Sequence, residues 1–156
     1  MHIRQAKIDD IPQIVRLGKQ LFELHVQYDS NYYALEDNFD ELFADWAKNY
    51  MNHHSQFIIV AETENSEVIG FVAGFIKSLY TWFRIKSVGH ISFMIIDEKF
   101  RKIGVGKLLE EQAKNWFKQK NVSYIELYVE ESNDIGQKAW SSYDFSPFKR
   151  FLRKKI

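Results

Sequence analysis

Phe100-Arg101-Lys102-Ile103-Gly104-Val105-Gly106-Lys107-Leu108-Leu109 joins two segments of different hydrophobic period. Before it, Val88 to Ile96 reads as a strand. After it, Val105, Leu108, Leu109, Ala113, Trp116 and Phe117 recur at three- and four-residue spacing, as one face of a helix does. The first amides of a helix have no helical acceptor, and the helix dipole adds partial positive charge there, so such a junction suits an anion. Gly104 and Gly106 remove the β-carbons that would keep a ligand from the backbone, and Arg101, Lys102 and Lys107 add positive charge. A pyrophosphate suits these features; the same glycine pair would equally permit tight packing of helix on strand with no ligand. Two other phosphate motifs fit worse. Gly106-Lys107 is followed by Leu108 rather than Ser or Thr, and a dinucleotide fingerprint needs three glycines after the first strand, not two late in the chain.

Outward from this junction the chain alternates between the two periods. Ile3 to Lys7 reads as a strand, and Asp9-Asp10-Ile11-Pro12 as the start of a helix whose apolar face carries Ile11, Ile14, Val15, Leu21 and Phe22. Phe39, Leu42, Phe43, Trp46, Ala47 and Tyr50 define a second helix. Phe57 to Glu62 and Val68 to Ile76, around a turn at Asn65-Ser66, predict an antiparallel hairpin. Beyond the junction helix come a strand from Tyr124 to Val129, a short helix from Asn133 to about Tyr143, and a last strand from Phe145 to Arg153. The order is βααββ, then βαβαβ. No repeat, linker or low-complexity stretch divides the chain, so residues 1–156 are expected to form a single domain.

Composition narrows the function classes. The chain has 156 residues, 46% hydrophobic and 27% charged, enough for one substantial core. Its 21 basic and 21 acidic side chains cancel, so no general field favours nucleic acid or an anionic membrane, and neither is expected as a partner. Lys149, Arg150, Arg153, Lys154 and Lys155 form one basic cluster, interleaved with Phe148, Phe151 and Leu152, and read as a solvated edge. There is no cysteine, which excludes disulfides, thiolate metal sites and an acyl-cysteine route. His53-His54 lacks a third ligand at useful spacing and, as neighbours on a helix point apart, reads as a solvated helix end; no metal is expected. With no signal-peptide core at the N-terminus and no apolar run of about 18 residues, a cytoplasmic protein is expected.

Arg101, Gly104 and Gly106 satisfy the pattern Gln/Arg-x-x-Gly-x-Gly/Ala, and the chain in this respect resembles the GNAT N-acetyltransferase superfamily. The resemblance covers Phe100 to Leu109 closely and the element order almost throughout. It implies an α/β fold with a mixed, mostly antiparallel sheet of six to seven strands flanked by about four helices. It also implies acetyl-CoA as acyl donor, its pyrophosphate on the amides of residues 101–107, including Ile103 and Val105, and its pantetheine arm along Met94, Ile95 and Ile96. Asn133, at the start of the helix after the fifth strand, corresponds to a pantetheine-contacting Asn; it is equally an adequate N-cap. The implied reaction is direct attack of a primary amine on the thioester in a ternary complex, the amine being a small molecule or a peptide. A homodimer is a further expectation. The alternative is a regulatory domain of the same fold that binds acyl-CoA without catalysis.

Acyl transfer to an amine needs a base for the ammonium, a donor for the oxyanion and an acid for the thiolate. Where the family often has a carboxylate on the fourth strand, this chain has His90 and Ser92, two apart and so on one strand face. A histidine can accept a proton near neutral pH, which makes His90 the candidate base; a structural hydrogen bond is its other reading. The family's late-helix Tyr is replaced by Trp140, whose indole does not titrate usefully, and Tyr143, nearly a turn later, is the candidate acid. His25, Tyr28, Tyr32, Tyr33, Glu36 and Asp37, with Tyr80, Trp82 and Phe83, occupy the regions that line acceptor pockets in the family. Carboxylates and aromatic faces attract a cationic amine; packing is the competing explanation for the rings.

Overall fold

The computed structural model describes all residues, Met1–Ile156. Strand β1 (His2–Gln5) is followed by helices α1 (Ile11–Tyr28) and α2 (Phe39–Met51), then by β2 (Gln56–Glu62), β3 (Val68–Ser78) and β4 (Ser87–Ile96). Helix α3 (Val105–Gln119), strand β5 (Ile125–Leu127) and helix α4 (Asp134–Ser142) complete the order. The strands form one sheet in sequence order, antiparallel except for the parallel β4–β5 pair. Helices α1 and α2 cover one face, over Ile58, Val60, Phe71, Ala73 and Ile95. Helix α3 covers the other, where Leu109, Ala113 and Phe117 meet Phe57, Ile59, Val72 and Ile91. Burial on both faces explains why β3 runs as nearly unbroken apolar sequence rather than alternating with polar residues.

Five strands form, fewer than the six to seven expected. The missing one is the segment from Phe145 to Arg153, which has no regular structure; Phe148, Phe151 and Leu152 are 82%, 77% and 85% exposed. Its apolar residues stand three apart at 145, 148 and 151, so they line no strand face, and Pro147 removes a ladder donor. No helix is long and apolar enough to cross a membrane. His53 and His54 do not point apart: α2 has already ended, and their rings stack at 4.9 Å and 20°.

The start of α1 is locked by a half-buried ionic cluster. Arg4 donates to both carboxylate oxygens of Asp10 (2.7 and 2.9 Å) and to both of Glu62 (2.8 and 2.8 Å), and the Lys7 N–H also donates to Asp10 (2.7 Å). Asp10 is only 5% exposed. Burial alone would raise its pKa, but the hydrogen bonds from Arg4 and Lys7 outweigh it and leave the carboxyl below its ordinary value. Removing the cation strands a buried carboxylate, so Arg4→Ala is expected to destabilise the protein by about 2–4 kcal/mol, read as a lower urea midpoint at unchanged slope. Because the folded-state pKa is lowered, the wild-type contribution is complete above about pH 4 and is lost as pH falls through the folded value; the variant should lack this acid-sensitive part.

Candidate active site

Strand β4 pairs with β3 along its whole length but with β5 only at Gly89, His90 and Ile91. The cause lies in its own backbone. Ala73 faces Phe93 and Gly74 faces Ile91, so Ser92 is an extra residue, a bulge that bends the strand. Beyond Ile91 the two strands part, and β5 is three residues long where six were expected. The main chain of Ser92 to Ile96, including Met94, Ile95 and Ile96, therefore has no strand partner on the β5 side. Met94 and Ile96 pack on the α3 side of the sheet and Ile95 on the α1–α2 side.

At the far end of this open stretch, a 3-10 turn (Glu98–Phe100) leads into the glycine loop. Asp97 caps that turn, and Arg16 of α1 holds the Asp97 carboxylate at 2.7 Å. Lys102 and Gly104 have φ of +63° and +90°, and Gly104 is the residue before α3. The first bond of the helix joins the Leu108 N–H to the Gly104 carbonyl (3.2 Å), so the amides of Val105, Gly106 and Lys107 leave the helix end unpaired. The two glycines serve different ends. A β-carbon on Gly104 would meet no protein atom within 4 Å, so open space lies before the loop there, and the left-handed φ is what demands glycine. A β-carbon on Gly106 would lie 2.6 Å from the Tyr143 hydroxyl, so this glycine lets α4 close on α3. Arg101 is turned back: its Nε donates to the Ile96 carbonyl (3.1 Å) and its Nη1 to Glu98 (3.3 Å), tying the loop to the end of β4. Lys102, Ile103 and Lys107 are exposed around the loop, while the Val105 side chain is in the core.

Tyr143 thus sits over the first turn of α3. Burial, and then the buried Glu110 carboxylate, push its pKa above the ordinary value, so its hydroxyl is protonated at neutral pH. Trp140 packs edge-on against Tyr143 (5.8 Å) and Phe145 (5.3 Å). Asn133 accepts the Gly136 N–H at 2.9 Å and caps α4.

His90 lies at the other end of the open stretch and on the other face of the sheet, so the structure does not bring it together with Tyr143. His90 and Ser92 share the α1–α2 face: Ser92 bonds the Tyr50 hydroxyl (3.0 Å), and the His90 ring packs between Phe75 (5.0 Å) and Tyr128 (5.1 Å). His90 is 8% exposed, and its Nδ1 is buried with no hydrogen-bond partner. Glu126 of β5, its register partner, holds a carboxylate oxygen 4.0 Å from that nitrogen and 2.6 Å from the Lys77 ammonium. Burial first and Lys77 second lower the His90 pKa, with Glu126 pulling the other way. The sequence reading missed Glu126 and Lys77. A charged residue within Tyr124-Ile125-Glu126-Leu127-Tyr128 was the available signal, but the pairing that sets it beside His90 needs the register.

Beyond Tyr128, the α1–α2 connection closes this side. Tyr33 donates its hydroxyl to Glu130, which pushes the Tyr33 pKa up to about 12, and the Tyr33 ring meets His25 (5.2 Å) and Tyr32 (4.9 Å) edge-on. Glu36 and Asp37 follow in the same connection, Glu36 exposed like Asp37. On the β3–β4 loop, Tyr80 and Trp82 stack at 4.6 Å and 7° with Phe83 nearby, all exposed rather than in the core. The basic segment is not wholly solvated: Arg153 reaches Asp29 at 2.8 Å and lies 4.4 Å above the Tyr32 ring.

This arrangement is that of an acyltransferase fold. Residues 18–145 match the model of the Acetyltransferase (GNAT) family, and the chain belongs to that family. An uncharacterized N-acetyltransferase of Archaeoglobus fulgidus is 27% identical over 150 residues, covering 92% of each chain. Among solved structures, a tetramutant of the BH1408 protein from Bacillus halodurans has a TM-score of 0.89 at 22% identity over the whole of both chains. The aminoglycoside N-acetyltransferase AAC(6')-Iy in complex with CoA has a TM-score of 0.82 at 18% identity, over 99% of this chain and 93% of the other. These likenesses in structure establish the shared fold, and the family model places the chain in the Acetyltransferase (GNAT) family.

Proposed function

We propose that this protein moves the acetyl group of acetyl-CoA onto a primary amine by direct attack in a ternary complex. The observation that carries the reading is the unpartnered stretch of β4 from Ser92 to Ile96, with the free amides of α3 at one end and His90 at the other. Five residues of strand span roughly 17 Å, enough for an extended acyl-pantetheine arm to pair with the backbone of Met94 to Ile96. The pyrophosphate would take the amides of Gly104 to Lys107, with Lys102 and Lys107 supplying charge and Arg101 holding the loop in shape. Asn133 would contact the arm from the start of α4. No metal takes part in this scheme.

In the chemistry, the amine nitrogen attacks the thioester carbonyl, and the C–S bond breaks. The ammonium proton passes to His90 Nε2, directly or through water. Glu126 serves as positioning residue: closing on Nδ1, it fixes the tautomer that leaves Nε2 basic and then offsets the imidazolium charge. The departing thiolate, at the His90 end, takes its proton from water; Tyr143, over the first turn of α3, would stand at the pyrophosphate end of the arm and not beside the sulfur. A cationic amine is the acceptor class that the carboxylates and rings of the α1–α2 connection favour, and solved structures of the same fold include aminoglycoside N-acetyltransferases.

Acetyl-CoA at about 100 times its Kd should stabilise the protein by about 2.7 kcal/mol, seen as a raised Tm. A panel of polyamines, amino sugars, lysine peptides and neutral hydroxyl compounds, followed by CoA release, reads the rest. Cationic amines should lead. No acetyl-CoA binding by calorimetry rejects the proposal, and binding without turnover on any amine points to the regulatory domain instead.

A further inference from the structure

Asp29 and Tyr32 make a seat for a cation. One carboxylate oxygen of Asp29 accepts the Asn31 and Tyr32 N–H groups (3.2 and 3.0 Å), which fixes the side chain; the other faces outward and takes Arg153 Nη2 at 2.8 Å. The guanidinium lies 4.4 Å from the centre of the Tyr32 ring, which Tyr33 buttresses edge-on. A row of rings leads from the segment that fills the seat to the candidate base. Two residues before Arg153, Phe151 touches Tyr128 (5.9 Å), whose ring packs on His90 (5.1 Å). The segment that supplies Arg153 is lightly held: no backbone group of residues 146–156 is hydrogen-bonded, and its apolar side chains are mostly exposed.

We propose that Asp29 and Tyr32 bind a second cation of the acceptor, and that Arg153 fills this seat in the free protein and is displaced when a dicationic amine binds. The inference rests on the amine-acetyltransferase reading above. It makes the C-terminal segment a competitor: an exposed ion pair and a cation–π contact together favour the closed form by about 3- to 30-fold, and apparent affinity for a displacing ligand falls by that factor. A monoamine, with nothing to place in the seat, leaves Arg153 where it is.

Diaminohexane and hexylamine separate the cases on the full chain. Diaminohexane should shift the Arg153 Nε–H resonance toward its free-solution position, hexylamine should not, and Asp29→Asn, which keeps the turn's acceptor, should abolish the difference. In acetyl transfer, Arg153→Ala should lower KM for diaminohexane by about 3- to 30-fold and leave hexylamine unchanged, and Asp29→Asn should remove that gain in the double variant. An Arg153 resonance indifferent to diaminohexane, or equal KM for diaminohexane in wild type and Arg153→Ala, overturns the proposal. If neither amine is acetylated the activity reading fails, and the resonance still decides whether the seat takes an amine.

Discussion

Replacing His90 by alanine should lower kcat/KM by about 10² to 10⁴ fold while acetyl-CoA binding stays close to wild type. The ring is buried between Phe75 and Tyr128, so the variant's urea midpoint is measured alongside to separate loss of a proton acceptor from loss of packing. Its pH signature is specific. Burial, and then Lys77, lower the His90 pKa, so the rising limb of kcat/KM should lie below pH 6.5 and vanish in His90→Ala. The neighbours move it in opposite senses: Glu126→Gln removes the group that favours the imidazolium and shifts the limb down, and Lys77→Met removes the opposing cation and shifts it up. A folded His90→Ala protein that keeps more than about half of wild-type kcat/KM, with its pH profile unchanged, would falsify the base assignment. Loss of the limb with both neighbour variants silent would leave His90 as the base and remove Glu126 from the scheme.

The second large effect is expected at Gly104. Gly104→Glu should raise the Kd for acetyl-CoA by at least about 100-fold, since each 1.4 kcal/mol is tenfold and the new carboxylate stands where a pyrophosphate would lie. The protein should still fold. A side chain at this position meets no protein atom within 4 Å, and the left-handed backbone costs about 1–2 kcal/mol for any L-residue. Gly104→Ala carries the same strain without bulk or charge and serves as the control. Thermal shift and calorimetry with acetyl-CoA check both; equal binding by Gly104→Glu and Gly104→Ala removes the pyrophosphate from this loop.

Much of the fold was legible because its signals are local. The helix face of Leu109, Ala113 and Phe117 and the apolar run of β3 reflect burial, which spacing reports directly. Gly104 was legible as a glycine at a helix start, read there as room for a ligand; its left-handed φ needed the structure. What was missed depends on register. Glu126 meets His90, and β5 stops short, because of how β4 lies against its neighbours, and the extra residue at Ser92 carries no mark in a sequence that alternates plausibly without it. The last strand was misread because aromatic content stood in for true two-residue alternation. Arg153 meeting Asp29 across 124 positions is a contact that no local pattern encodes.

The Ser92 bulge has a consequence for heredity. His90 and Phe93 lie toward α1 and α2, and Ile91 and Met94 toward α3, so strict alternation would be restored along the whole strand by deleting Ser92 alone. Most single-residue deletions in a buried strand turn its downstream side chains inside out. This one would leave every core residue on its own side and straighten β4 toward β5. The difference between a sheet that opens beyond Ile91 and one that stays paired is therefore a single codon, and a lineage can cross it in either direction without rebuilding its core.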